Sequence, residues 1–235
     1  GSNLGITSGV MLCSGNASDC VGPNLNVYGA NTSFSLDPTP DSDLLSLLPA
    51  NSVTKDLASL ELDIIPYTDT LVLTYSFASE EYLTYSPPLD NSGKYNDVFG
   101  FFISGAGING TQNIAVVPGT NNKVSVCNVN PIVNALLYVD NLTNMLGLPG
   151  TIEYNGFTKV MKARIPLNQG QLYHIKIAIA DVRDSYIDSG VFIKAAGTNS
   201  RNAAIPVNFT MINALSAGAI NKIIWNAFNY IIKGN

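Results

Sequence analysis

The stretch Leu71-Val72-Leu73-Thr74-Tyr75-Ser76-Phe77 sets Leu71, Leu73, Tyr75 and Phe77 against Val72, Thr74 and Ser76. Successive side chains of an extended strand point to opposite faces, so this alternation marks a strand with one buried face. VFGFFI at 98–103 is apolar on both faces, as a central strand of a sandwich is. The same reading continues through IAVV at 114–117, KVSVC at 123–127, KVMKARI at 159–165, YHIKIAIA at 173–180 and VFIKA at 191–195. Turn formers separate these runs: Pro87-Pro88, Asn91-Ser92-Gly93, Pro118-Gly119, Asn155-Gly156 and Asn168-Gln169-Gly170. Many short strands with no βαβ rhythm predict an all-β chain, an antiparallel β-sandwich or jelly roll.

Two stretches break the pattern. Residues 42–50 predict one helical turn or a short helix that ends at Pro49. From about Met211 to Ile232, the positions Leu215, Ile220, Ile223, Ile224, Ala227, Phe228 and Ile231 fit a helical stripe, although Ile223 to Ile232 also reads as strand. Asn221, Lys222, Asn226 and Asn229 interrupt this tail, which makes it too short and too polar to span a bilayer. The chain therefore divides into a sandwich at 1–200 and a C-terminal extension at 201–235, a strand or an amphipathic helix.

Composition narrows the class. Of 235 residues, 46% are hydrophobic and only 12% charged, so a large core forms while Asn, Ser, Thr and Gly supply much of the wet surface. That balance fits an extracellular β-protein better than a cytosolic enzyme. A net charge of −5 with singly scattered Lys and Arg provides no basic field, which excludes nucleic acid as a partner. The sequence opens Gly1-Ser2-Asn3, without the basic and apolar leader of a secretory signal. Five acceptor sequons stand at Asn16, Asn31, Asn109, Asn141 and Asn208, so glycosylation is an expectation. Cys13 and Cys20 are close enough in sequence to close a small disulfide loop, which leaves Cys127 single and buried; a Cys13–Cys127 pairing is equally open.

Six ordered motifs carry a family resemblance: FASEEY at 77–82, YNDVFGFFISG at 95–105, NIAVVPGT at 113–120, VSVCNVN at 124–130, YNGFTKVMKA at 154–163 and YHIKIAIADVRDSYIDSGVFI at 173–193. With the Gly-rich entry at 1–24, the chain over about residues 1–195 resembles the choice-of-anchor L domains of bacterial and archaeal surface proteins. The resemblance implies an extracellular β-sandwich found in adhesins and modular surface proteins, with no established catalytic residues and no particular ligand. It also implies a further stretch ahead of the entry region, so the domain is expected to begin part-way through.

Acidic residues are the chemically interesting groups. Glu80 and Glu81 follow one strand, Asp97 precedes the next, and Asp181, Asp184 and Asp188 flank a later loop. Carboxylates at strand ends converge on one edge of a sandwich, and hard oxygen ligands gathered that way suit Ca²⁺. The expected ligands are Glu81, Asp97, Asp181 and Asp188. The alternative is structural: the same carboxylates accept backbone N–H bonds or pair with Arg183. Glu80 or Glu81 with Asp97 also satisfies the two-carboxylate requirement of a glycosidase, yet only Trp225 is present to form a sugar platform. His174, the single histidine, shares a strand face with Lys176 and stands beside no nucleophile motif. Gly105, Gly107 and Gly110 read as a hairpin turn, since no helix pattern follows them.

The tail points to assembly. Its last residues resemble a strand that would run into the Gly1 entry, so residue 235 of one copy could lead into residue 1 of the next. The expected function is an extracellular structural or adhesive subunit of a cell-surface filament. Copies would join head to tail when Ile223, Ile224, Trp225, Phe228, Tyr230 and Ile231 complete another copy's sandwich. A tail packed back on its own domain is the equal alternative. A monomeric, Ca²⁺-dependent module that binds surface glycans or peptides is a second reading, and a polysaccharide hydrolase a third.

Overall fold

The computed structural model describes residues 4–25, 28–34, 37–142 and 152–194. Among these residues, ten strands lie in two antiparallel sheets: β1 (Gly9–Cys13), β2 (Thr54–Ile64), β3 (Thr70–Ser79), β4 (Val98–Gly105), β5 (Gln112–Asn113), β6 (Tyr138–Asp140), β7 (Gly156–Thr158), β8 (Met161–Pro166), β9 (Tyr173–Val182) and β10 (Ser189–Lys194). The first sheet runs β1-β10-β3-β7-β6, with β8 also paired to β3; the second runs β2-β9-β4-β5. The sandwich expected from the alternation is thus the observed fold.

The alternating residues do what their spacing demands. Tyr75 and Phe77 of β3 face Phe99 and Phe101 of β4 across the sandwich, and all four are buried. Ring centroids stand 5.5 Å apart for Tyr75–Phe99, 4.9 Å for Tyr75–Phe101 and 6.0 Å for Phe77–Phe99. Such tilted, edge-on and stacked pairs contribute on the order of 1 kcal/mol each beyond their burial. β4 is apolar on both faces because a second layer covers the second sheet. Val98 and Phe102 pack outward with Ala178, Ala180 and Val182 against Leu44.

Leu44 belongs to α1 (Ser42–Ser46), the short helix expected around 42–50, whose first turn is capped by Asp41 accepting from the N–H groups of Asp43 and Leu44 at 3.0 Å. The helix also explains Lys176. Strand alternation sets it beside exposed His174, but α1 covers it, and its ammonium lies 2.5 Å from Asp41 and 2.8 Å from Asp43. His174 stays exposed between Asp63 and Glu61. The Gly105–Gly110 loop joins β4 to β5 as a hairpin.

Two expected strands are not part of either ladder. IAVV and KVSVC hold only a single bridge, Val116 to Lys123, although Ala115, Val117, Val124 and Val126 are all buried. Their alternation records burial of a tightly turning loop, not a ladder. The tail at 201–235, with Asn208, Trp225 and the assembly residues, lies outside the described residues.

Candidate functional site

Antiparallel pairing places the C-terminal end of one strand beside the N-terminal end of its neighbour. The ends of β1, β3 and β9 therefore gather with the starts of β2, β4 and β10 at one end of the sandwich. The four carboxylates expected as ligands sit there: Glu81 after β3, Asp97 before β4, Asp181 near the end of β9, and Asp188 before β10. They are 2%, 1%, 1% and 0% exposed, so the cluster is interior and not a rim.

Their oxygens are unequally employed. Asp97 Oδ1 accepts from Val182 N–H at 3.0 Å and Oδ2 from the Ser189 hydroxyl at 2.7 Å, while the Asp97 N–H donates to Glu81 Oε2 at 3.2 Å. Asp188 Oδ2 accepts from Thr32 N–H at 3.0 Å. Glu80 Oε1 accepts from Ala30 N–H at 3.0 Å. By contrast, Asp188 Oδ1 and both oxygens of Asp181 are buried without a hydrogen-bond partner. The Ser14 hydroxyl lies near enough to Asp181 to favour its charged form, and it accepts from Ser189 N–H at 3.0 Å.

Burial is the first cause pushing every one of these carboxyls upward. Asp97 rises to about 7 and Asp188 to about 9. Glu81 and Asp181 rise well above the carboxylate range, each under the added charge of Asp97. Glu80 rises to about 8, with Glu153 beside it. Among the described residues, no Lys or Arg pairs with Glu81, Asp97, Asp181 or Asp188. Arg183, the partner expected for them, is exposed and lies over the Tyr95 ring, 5.8 Å from its centroid.

Sequence reading misses one member of the cluster. Asp56 is buried, and its charge acts on both Asp181 and Asp188. It occupies a bulge where the β2–β9 register shifts between Lys55 and Ala58, with φ at +47°. A bulge re-aims a side chain, which a strict period-2 count cannot anticipate. Gly15 is needed for the same packing, because a Cβ there would meet Asp188 Oδ2 at 1.7 Å.

The glycosidase pairing gains nothing from this geometry, since Glu80, Glu81 and Asp97 are enclosed. Among the described residues, no group of three or more His, Cys, Asp or Glu side chains is arranged to hold a metal ion.

The remaining candidate positions are dispersed. Cys13 and Cys20 are buried, unbonded neighbours: the Cys13 thiol is the largest influence raising Cys20, and Cys20 Sγ lies 2.9 Å from the Tyr154 hydroxyl. Cys127 is half-buried, and more open than the interior position expected for it. Asn31 and Asn109 are exposed and Asn16 half-buried. Asn141 is buried, with its amide donating to the carbonyls of Ile152 and Tyr154 at 2.8 and 2.7 Å, so that acceptor side chain is folded inward.

Two face-packed antiparallel sheets with buried, linked strand ends define an all-β sandwich domain. The chain belongs to the choice-of-anchor L domain family, whose model matches residues 1–199. Membership implies a cell-surface location, and no described helix is long and apolar enough to cross a membrane. No curated protein and no solved structure matches the chain.

Proposed function

We propose that this protein is a structural subunit of an extracellular assembly, in which residues 205–235 of one copy add as a strand to the sandwich of the next. The observation that carries the reading is the character of β1. It forms one margin of the first sheet and pairs, among the described residues, with β10 alone. Natural sheet margins are guarded by charge, proline or brevity, because unpaired backbone groups recruit other strands. β8 carries Lys162, Arg164 and Pro166, β2 carries Lys55, Glu61 and Asp63, and β5 and β6 are two and three residues long. β1, reading Gly9-Val10-Met11-Leu12-Cys13, is longer than β5 and β6 and carries neither charge nor proline.

A strand laid along β1 would satisfy its outer N–H and C=O groups. Ile223, Ile224, Trp225, Phe228, Tyr230 and Ile231 would supply the apolar side chains that make such an addition stable. Exchange of this head-to-tail kind is heterologous and propagates as a filament unless it closes into a ring. A Ca²⁺-dependent adhesin needs its ion where ligand can touch it, and the enclosed carboxylates do not favour that second reading. The test is competition. Excess synthetic peptide of residues 205–235, added to the full chain, should shorten the assemblies seen by analytical ultracentrifugation. Assemblies indifferent to saturating peptide would overturn the proposal.

A further inference from the structure

The buried end of the sandwich holds an imbalance that its own hydrogen bonds leave standing. Asp97 has spent both oxygens on Val182 and Ser189, and Glu81 Oε2 is taken by the Asp97 N–H. Four carboxyl oxygens remain buried without a partner: Glu80 Oε2, Asp181 Oδ1, Asp181 Oδ2 and Asp188 Oδ1. Each belongs to a residue no more than 1% exposed. Protonation relieves the charge, but the single O–H of a neutral Asp181 cannot serve every oxygen left unpartnered here. Leaving such groups unpaired in a low-dielectric interior is costly, and a cation satisfies several oxygens at once.

We infer that Asp181 and Asp188, with the Ser14 hydroxyl, form the seat of one divalent cation of the Ca²⁺ class. Two carboxylates match its charge of +2. The remaining positions of its shell fall to neutral oxygens, which Ca²⁺ accepts readily at flexible geometry, whereas Mg²⁺ sheds water reluctantly and suits an enclosed site less well. This two-carboxylate set differs from the four-carboxylate set expected from the sequence. In this arrangement Asp97 and Glu81 hold the frame, with both Asp97 oxygens and Glu81 Oε2 already engaged. The strands concerned explain what the ion would do. Ser14 follows β1 and Asp188 precedes β10 in one sheet, while Asp181 closes β9 in the other. An ion there ties the two sheets together at the end where β1 stops and β10 starts, and it braces the fold without meeting any external ligand.

The test uses the full chain, stripped with a chelator and dialysed against Ca²⁺ or Mg²⁺. Elemental analysis should find one Ca²⁺ per chain, and calorimetry should show saturable Ca²⁺ binding at least tenfold tighter than Mg²⁺. Ca²⁺ should also raise the thermal midpoint of the wild type but not of Asp181→Asn. Ser14→Ala, which leaves both carboxylates in place, should weaken binding severalfold and guards against a misfolded Asp181→Asn. A wild type that binds no Ca²⁺ would overturn the inference, since Asp181 is then simply a neutral acid. Undiminished binding in folded Asp181→Asn would overturn it equally.

Discussion

Asp97 and Ser189 join the two sheets through a 2.7 Å hydrogen bond from the Ser189 hydroxyl to Asp97 Oδ2, while the other Asp97 oxygen holds the Val182 N–H. Asp97 stands just before β4 in one sheet and Ser189 begins β10 in the other, so a single side chain fixes the spacing of the sandwich at this end. Asp97→Ala orphans two buried donors at once. It should lower stability by about 2–4 kcal/mol, read as a shift in the urea midpoint. Asp97→Asn keeps one acceptor and removes a buried charge, and should cost less than half as much.

Lys176 anchors α1 to the outer face of the second sheet through Asp41 and Asp43. The lysine and Asp41 are nearly buried, so the pair falls between an exposed ion pair and a fully interior one. Lys176→Met should cost about 1–3 kcal/mol. A double-mutant cycle with Asp41→Asn should return a coupling of about 1 kcal/mol.

Lys123 donates to the Leu47 carbonyl at 2.9 Å, and burial pulls its ammonium down from 10.5 to about 8. The depressed value means that the unfolded chain binds more protons than the folded one between those two pH values. Stability from this group therefore rises with pH across that window and is flat below it. The slope is at most about 1.4 kcal/mol per pH unit. Subtracting the profile of Lys123→Met from that of the wild type isolates it from the buried carboxyls, whose raised values act in the opposite sense.

Cys13 and Cys20 are adjacent thiols, and Cys127 belongs to another part of the fold. Under oxidising conditions each chain should lose two hydrogens, and a peptide map should link Cys13 to Cys20 while Cys127 takes up alkylating reagent. A map linking Cys13 to Cys127 would contradict this arrangement.

Much of the fold is legible because β3 and β8 alternate in sequence, while β4, β9 and β10 are apolar runs rich in aromatic and β-branched residues. β2 is not, since Thr54–Ile64 mixes Leu and Ala with Asp and Glu, poor strand formers that only pairing with β9 holds extended. The four site carboxylates could be placed at strand ends by counting alternation. Their division into spent and unspent oxygens could not, because it depends on hydroxyls and N–H groups brought in from distant strands, such as Ser14, Thr32 and Ser189. Asp56 hid in a bulge, and Lys176 looked exposed because nothing in its own strand reveals the helix above it.

The claim that this surface domain builds an assembly through its tail rests most directly on electron microscopy of the full chain beside a form lacking residues 205–235, with circular dichroism confirming that both are folded. Regular filaments from the full chain and dispersed particles from the shortened one are the expected result. Filaments that persist without the tail, or a full chain that stays dispersed, would contradict it.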